Sequence, residues 1–407
     1  MSGALVELVA KGVQDAYLTG KPEVSFFQQT YKRHTNFAQK PVRLDFIGTC
    51  AKNQMITIKI PRKGDLLGYI FMDMNPYPNT NSGDITAESL FSPLAENPTI
   101  FELYIGGQLI DRQDGFYMNQ LWQKFLIDSS GKNFSYTSHH EPDQPFLESE
   151  YRATVTNSWV PLHFFFCDSM CYLPLVALQY HEVEIRITFG PSFGDYPDPF
   201  VPQVPNFYAN YIVLDTTERE SVVKRDHDIL IEQVQRIPMN TINLRDDEPT
   251  KCSFDLSYLN HPVKCLLWGI TNYGELTIND VQLYLNGTEV FESPMPDLYF
   301  CTVQSYYHSE FDSILQGSIA YIGNFNYQDQ PSGGNTKMYS FALKANKHQP
   351  CGTCNFSRLD NANLTGELFY NKGSRVDISN PSTFYLWAVN FNVLRIKNGL
   401  AGLAFSN

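Results

Sequence analysis

The residues best placed to do chemistry lie in the stretch Leu173 to Phe189, LPLVALQYHEVEIRITF, where Glu182, Glu184 and Arg186 interleave with Val183, Ile185 and Ile187. Two carboxylates side by side invite a reading as general acid and base on a glycosidic bond. A two-residue period, however, puts both on the same surface as Arg186 and Thr188, which is the pattern of a half-buried strand with one wet side. A solvated strand face accounts for all three charges. Thiols are the second candidate. Cys351 and Cys354 spell C-G-T-C, the spacing of a redox pair or a zinc half-site, and Cys167 with Cys171 could supply the other half. The repeat described below puts these pairs in equivalent places of two different domains, so a four-thiolate site is not expected. The eight cysteines are scattered and read as reduced thiols packed as small apolar groups. His139 and His140 are adjacent and would point to opposite sides of a strand. No HExxH, P-loop or GxGxxG pattern occurs. The expectation is no catalytic residues, no metal, no cofactor and no enzymatic role.

The elements that would hold these residues are strands. At 407 residues the chain exceeds the roughly 250 to 300 at which one core stops growing, so two domains are expected. Hydrophobic residues make up 43%, with 29 Phe and 24 Tyr against only 18% charged residues, which favours many short strands and long loops. The formal net charge of −13 excludes a long track for nucleic-acid phosphates, so no direct nucleic-acid partner is expected. No apolar run reaches the roughly 18 to 20 residues of a spanning helix, and the N-terminus lacks a signal-peptide pattern; the reading is a soluble, unsecreted chain.

In chain order, Ala4 to Tyr17 carries Leu5, Leu8, Val9, Gly12, Val13 and Ala16 at helical spacing, predicting one short amphipathic helix. Between Val24 and Leu44 there is no acid, but Lys32, Arg33, Lys40 and Arg43 stand with His34. Strands are predicted at Met55–Ile60, Leu66–Met72 and Phe207–Leu214, and a hairpin turns at Gly106-Gly107. Asp111 to Asn157 reads as a long projecting loop, Asn75 to Gly83 as another, and the charged stretch Thr216 to Asp228 as a linker. Glycan-acceptor sequons stand at Asn133, Asn286, Asn355 and Asn363.

The second half echoes the first. Leu103-Tyr104-Ile105-Gly106-Gly107 returns as Leu283-Tyr284-Leu285-Asn286-Gly287, and Asn210-Tyr211-Ile212-Val213-Leu214 as Asn390-Phe391-Asn392-Val393-Leu394, both 180 residues later. Leu66-Leu67 behind a proline and a lysine returns as Leu266-Leu267. The opening stretch thereby corresponds to Thr353 to Gly366. A whole domain is duplicated, and two domains of this size with many short strands fit a pair of antiparallel sandwiches.

With those residues laid out, the chain resembles the major capsid proteins of the nucleocytoplasmic large double-stranded DNA viruses of algae and amoebae. The matching text includes DAYLTGKPEVSFFQQTYKRHTNFA (Asp15 to Ala38), LPLVALQYHEVEIRI (Leu173 to Ile187) and YIVLDTTERE (Tyr211 to Glu220). It continues through LIEQVQ (Leu230 to Gln235), NHPVKCLLW (Asn260 to Trp268), SFALKANKHQPCGTCNFSRLDNANL (Ser340 to Leu364) and AVNFNVLRIKNGLAGLAFSN at the end. The resemblance implies an all-β fold of two tandem eight-stranded antiparallel jelly-roll barrels with long surface loops: a helical base segment at 1–24, a first jelly roll at 25–215 and a second at 216–407. It implies a homotrimeric, pseudo-hexagonal capsomer in an icosahedral shell assembled in the host cytoplasm, meeting neighbouring capsomers, minor capsid proteins and an inner membrane. Loops such as Asp111 to Asn157 and Gly323 to Lys337 would form its outer face. Leu5, Leu8, Val9, Lys32 and Arg33 would face the membrane or a minor protein. Assembly outside the secretory route would leave the four sequons unmodified by that route, although members of the family carry glycans in other contexts. The alternatives are a carbohydrate-binding β-sandwich, or a minor capsid protein of the same virus group.

Overall fold

The computed structural model describes residues 3–27, 31–73, 98–127, 159–168, 171–191, 204–238, 240–242, 249–270, 276–309, 336–370 and 382–405. Asn133, Asn75 to Gly83 and nearly all of Gly323 to Lys337 lie outside them. The chain divides into two compact units, Met1–Asn36 and Phe37–Asn407.

In the first unit the expected single helix is broken into three pieces, Gly3–Val9, Val13–Asp15 and Ala16–Thr19. Gly12 explains the interruption: its N–H donates to Asp15 Oδ2 at 2.6 Å, an Asx-type contact that ends one turn and starts the next. Leu5, Leu8 and Val9 share a face of the first piece, at i, i+3 and i+4, and are 50%, 67% and 81% exposed.

Among the described residues, the second unit begins with a barrel of ten strands. They are β1 (Phe37–Leu44), β2 (Phe46–Gly48), β3 (Met55–Lys59), β4 (Leu66–Asp73), β5 (Ile100–Ile105), β6 (Gln108–Asp114), β7 (Trp159–Pro161), β8 (Leu173–Pro174), β9 (Val183–Thr188) and β10 (Asn206–Leu214). One sheet runs β1-β10-β4-β7, with β8 also on β4; the other runs β2-β3-β9-β5-β6. The alternation seen at Val183 to Thr188 is realised: Val183, Ile185 and Ile187 are buried and the residues between them half-buried. The β5–β6 hairpin turns where expected, with positive φ at Gly106 and Gly107.

The second barrel contains β11 (His227–Arg236), β12 (Asn240–Ile242), β13 (Thr250–Asp255), β14 (Pro262–Ile270), β15 (Leu276–Leu285), β16 (Thr288–Glu289), β17 (Lys337–Ser340), β18 (Cys354–Asn355), β19 (Ala362–Tyr370), β20 (Ser382–Lys397) and β21 (Leu400–Leu403). Its sheets are β11-β20-β14-β17, extended by β12, β18 and β21, and β13-β19-β15-β16. The described pairings are all antiparallel, and the architecture is that of a double jelly roll. The repeat holds in detail. β8 lies on β4 and is followed by a 3₁₀ turn and β9; β18 lies on β14 and is followed by a 3₁₀ turn and β19. Asn210 and Asn390 are both buried, and each bonds a glutamine of a neighbouring strand, Gln39 and Gln235.

One sequence expectation is sharpened and one corrected. The stretch expected as a linker is wound into a helix over Thr216–Lys224, tied down because Arg219 reaches the buried Asp65 at 2.9 Å while Asp65 accepts the N–H of Leu214. The expected loop from Asp111 begins instead as β6 and a π-wound helix, Tyr117–Leu126, whose Met118, Leu121 and Phe125 are buried. Its apolar residues were hidden among polar neighbours, and they join an apolar cluster that takes in residues of both barrels.

At Gly106 an added Cβ would meet the His181 ring at 2.3 Å on top of a φ of +59°. Gly106→Ala should cost about 1–3 kcal/mol, read as a lower melting temperature, while Gly107→Ala, with open space around it, should cost less.

Candidate functional site at the seam between the barrels

The charged face that opened the sequence reading is a lattice of ion pairs. Arg186 Nη2 lies 3.0 Å from Glu184 Oε2 and stacks over the Tyr104 ring, Lys59 Nζ is 3.1 Å from Glu182, and Arg112 pairs with Glu102 at 3.5 Å. Each acid is answered by a base on the same sheet surface. None of the cysteines is joined in a disulfide. Burial pushes Cys50 and Cys252 up to about 11 and Cys265 up to about 12, which keeps them protonated and poorly nucleophilic.

The constellation with real electrostatic content lies elsewhere, where β6 of the first barrel meets β11 of the second. The two strands are the edges of separate sheets and share no ladder. Side chains bridge them instead. Asp111 Oδ1 accepts the N–H of Val234 at 2.9 Å, and Gln233 Nε2 donates to the Ile110 carbonyl. Three residues on, Asp114 accepts from Trp387 Nε1 at 2.6 Å, from Arg236 Nη1 at 3.2 Å and from the N–H of Tyr117 at 2.8 Å. Phe116 stacks on Trp387 with centroids 5.3 Å apart. Farther along, Ser309 Oγ donates to the Phe125 carbonyl at 2.6 Å and Asn346 Nδ2 to that of Ile127 at 3.2 Å. At the other end Leu403 N–H donates to Gln108 Oε1 and Ala401 N–H to His181 Nδ1. One apolar cluster runs through the seam, joining Ile110, Phe116 and Phe125 to Ile231, Trp387 and Ile396.

The pocket beside Asp114 is lined by Pro98, Phe116, Arg236, Tyr385 and Trp387 and holds about 10 Å³, room for about one water and not for an organic substrate. Burial pushes the Asp111 carboxyl up to about 7, against three N–H donors from Val234, Gln113 and Arg112 that pull it down. A second buried pair braces β11 from within its own barrel. Lys264 Nζ sits 2.7 Å from Glu232 Oε1, with His348 Nδ1 at 3.4 Å. Burial pushes Glu232 up, but these two bases together hold it below the usual carboxylate range.

Among the residues singled out from sequence, Leu5, Leu8, Val9, Lys32 and Arg33 all lie in the Met1–Asn36 unit and are exposed. Of the described sequons, Asn286 and Asn355 are exposed and use Oδ1, accepting from Asp360 and Asn361 N–H and from Ser357 N–H respectively. Asn363 is half-buried and spends its Nδ2, the atom a glycan would need, on Asn361 Oδ1. Sequence reading missed Asp111, Asp114, Arg236 and Trp387. The available signal was two acids in QLIDRQD, a strand that breaks alternation by burying both.

The chain matches two protein families in succession. The major capsid protein N-terminus matches residues 25–215, and the large eukaryotic DNA virus major capsid protein matches residues 270–402. The major capsid protein of Pyramimonas orientalis virus is 34% identical over 423 residues, and that of Paramecium bursaria Chlorella virus 1 is 31% identical over 452; each alignment covers 100% of both chains. Among solved structures, a quasi-atomic model of the PBCV-1 virus capsid superposes with a TM-score of 0.71 at 25% identity, covering 94% of this chain and 100% of that one. The Faustovirus major capsid protein shares the fold, with a TM-score of 0.64 at 12% identity over 97% of this chain and 96% of that one.

Two outcomes test the seam. Asp114→Ala removes the partner of a half-buried guanidinium and a buried indole and should cost about 2–4 kcal/mol, whereas Trp387→Phe, losing one hydrogen bond, should cost about 1–3 kcal/mol; chemical denaturation reads both. Asp111 ionises near 3.8 unfolded but at about 7 folded, so its contribution is complete below about pH 4 and is lost as pH rises to about 7. Stability should therefore fall by up to about 4 kcal/mol from pH 4 to pH 8, about 3 kcal/mol of it above pH 5, and Asp111→Asn should flatten that slope.

Proposed function

Since this chain belongs to the major capsid protein family of large eukaryotic DNA viruses, we propose that it acts as a homotrimeric building block, three copies closing into a pseudo-hexagonal capsomer. The family is a structural one and not an enzyme family, and the protein is a structural component of the virion capsid. Capsomers of this chain would then tile an icosahedral shell assembled in the host cytoplasm, with neighbouring capsomers, minor capsid proteins and an internal membrane as contacts. The observation that carries the reading is the welded pair of barrels: one chain supplies two of the six blocks a pseudo-hexagon needs, held at a fixed angle by the Asp111 and Asp114 seam. The absence of catalytic activity is part of this proposal, supported by the paired charges of the β9 face and the raised thiols.

The functional segments are taken as 1–24 for a base element, 25–215 for the first jelly roll and 216–407 for the second. In the base element, the exposed stripe of Leu5, Leu8 and Val9, together with Lys32 and Arg33 downstream, fits an anionic lipid surface or a minor protein beneath the shell. Among the described sequons, Asn286 and Asn355 are open to a glycan, because their bonds are made through Oδ1; assembly outside the secretory route would leave them bare.

Light scattering of the purified protein should give three times the chain mass, and electron microscopy a ring of six blocks; a stable monomer at micromolar concentration overturns the reading. Leu8→Asp should leave that trimer intact and sharply lower the yield of assembled particles. Unchanged assembly removes the base role.

A further inference from the structure

Where the β5–β6 turn meets the turn between β20 and β21, the seam is closed by backbone N–H donors. Among the described residues, Tyr180 N–H donates to the Gly399 carbonyl at 3.1 Å, Leu403 N–H to Gln108 Oε1 at 3.3 Å and Ala401 N–H to His181 Nδ1 at 3.1 Å. The first two acceptors, a carbonyl and an amide oxygen, do not titrate. The third does. A backbone N–H is always a donor, so Nδ1 must offer its lone pair, and the ring of the closed seam is the neutral form with its proton on Nε2. An imidazolium carries an N–H on both nitrogens and would set one N–H against another across 3.1 Å.

Turning the ring in place is opposed. It is pressed on Gly106, where an added Cβ would lie 2.3 Å from Nδ1 and 2.6 Å from Cε1. The backbone on either side is fixed as well: Gly106 N–H donates to the Glu182 carbonyl at 2.8 Å, and Arg62 Nη2 donates to the carbonyls of Leu178, Gln179 and His181. The charged groups on the surrounding elements do not make up the loss. Arg62 is itself a cation, Glu182 is held by Lys59 at 3.1 Å, and Lys397 at the end of β20 is held by Asp226 at 3.1 Å. In the middle of the seam acid acts the other way, because Asp111, pushed up to about 7 by burial, takes its proton there as the pH falls.

We propose that His181 is a proton-operated latch: protonation of its imidazole frees the Ala401 N–H and releases the β20–β21 hairpin from the first barrel, while the middle of the seam stays shut. Histidine is the side chain that changes charge between about pH 5 and pH 8, so mild acid is the signal. The latch lies within one chain and does not depend on how many chains assemble. In a capsid shell it loosens the same end of every subunit when the medium turns acid.

Hydrogen exchange of the whole purified chain tests this at about pH 7.5 and about pH 5.5, each amide corrected for the intrinsic pH dependence of exchange. In acid the Ala401 amide should lose protection about tenfold, while the Val234 amide, held by Asp111, keeps its own. His181→Asn sets a non-titrating amide oxygen close to the place of Nδ1, and there Ala401 should stay protected at both pH values. His181→Phe should leave Ala401 unprotected at both, with circular dichroism reporting a folded chain. The latch is overturned by equal protection of Ala401 at both pH values in the wild type, by an equal loss in His181→Asn, or by a loss in acid shared with Val234. Each readout is the same for a monomer and a trimer, so the result leaves the capsomer reading to its own test.

Discussion

An edge strand leaves alternate N–H and C=O groups without ladder partners, and leaving such groups buried and unbonded would cost more than most contacts could return. In this chain two edges, β6 and β11, are pressed together without forming a shared sheet. The solution is to give one edge acceptors on its side chains. Asp111 caps Val234 N–H, Gln233 caps the Ile110 carbonyl, and Asp114 gathers an indole, a guanidinium and a backbone N–H at one point. The apolar cluster through the seam depends on those bonds, because Phe116 and Trp387 can stack only where the strands that carry them are held.

That arrangement also fixes an angle. A continuous ladder between β6 and β11 would merge two barrels into one sheet, and a purely apolar contact would let them slide. Directional bonds at both ends of the seam, from Gln108 and His181 to Asn346, oppose both. A shell protein that must present two blocks in a constant relation needs this kind of constraint more than it needs any pocket. Lys264, buried against the half-buried Glu232 and His348, extends the same logic to β11, bracing the strand on which the seam is built.

Duplication leaves a visible asymmetry. Two copies of one fold would be expected to bury the same places, yet the second barrel's helix, though it buries Gln304 and Ser305, leaves Tyr306 and Tyr307 exposed. Surface chemistry has followed: the first barrel's covered edge took carboxylates and glutamine, and its open edge, β1, took Lys40, Arg43 and a proline, a residue that discourages uncontrolled strand addition.

Periodicity and repetition were legible in the sequence because they are local. Alternation at Val183 to Thr188 follows from a two-residue pleat, the β5–β6 turn from two glycines that tolerate positive φ, and the duplication from matched words 180 residues apart, such as Leu103 to Gly107 and Leu283 to Gly287. The family was legible for the same reason, as wording in order. The helix at Thr216–Lys224 and the one at Tyr117–Leu126 were not, because each is held by residues far away in the chain, Asp65 and Trp387's neighbourhood among them. Nor was the seam. In QLIDRQD the two aspartates look like any solvated acids, and only the approach of a second barrel, more than a hundred residues later, removes their water and supplies their donors. Local pattern determined which strands exist; long-range packing decided which charges are buried and therefore which residues the architecture rests on.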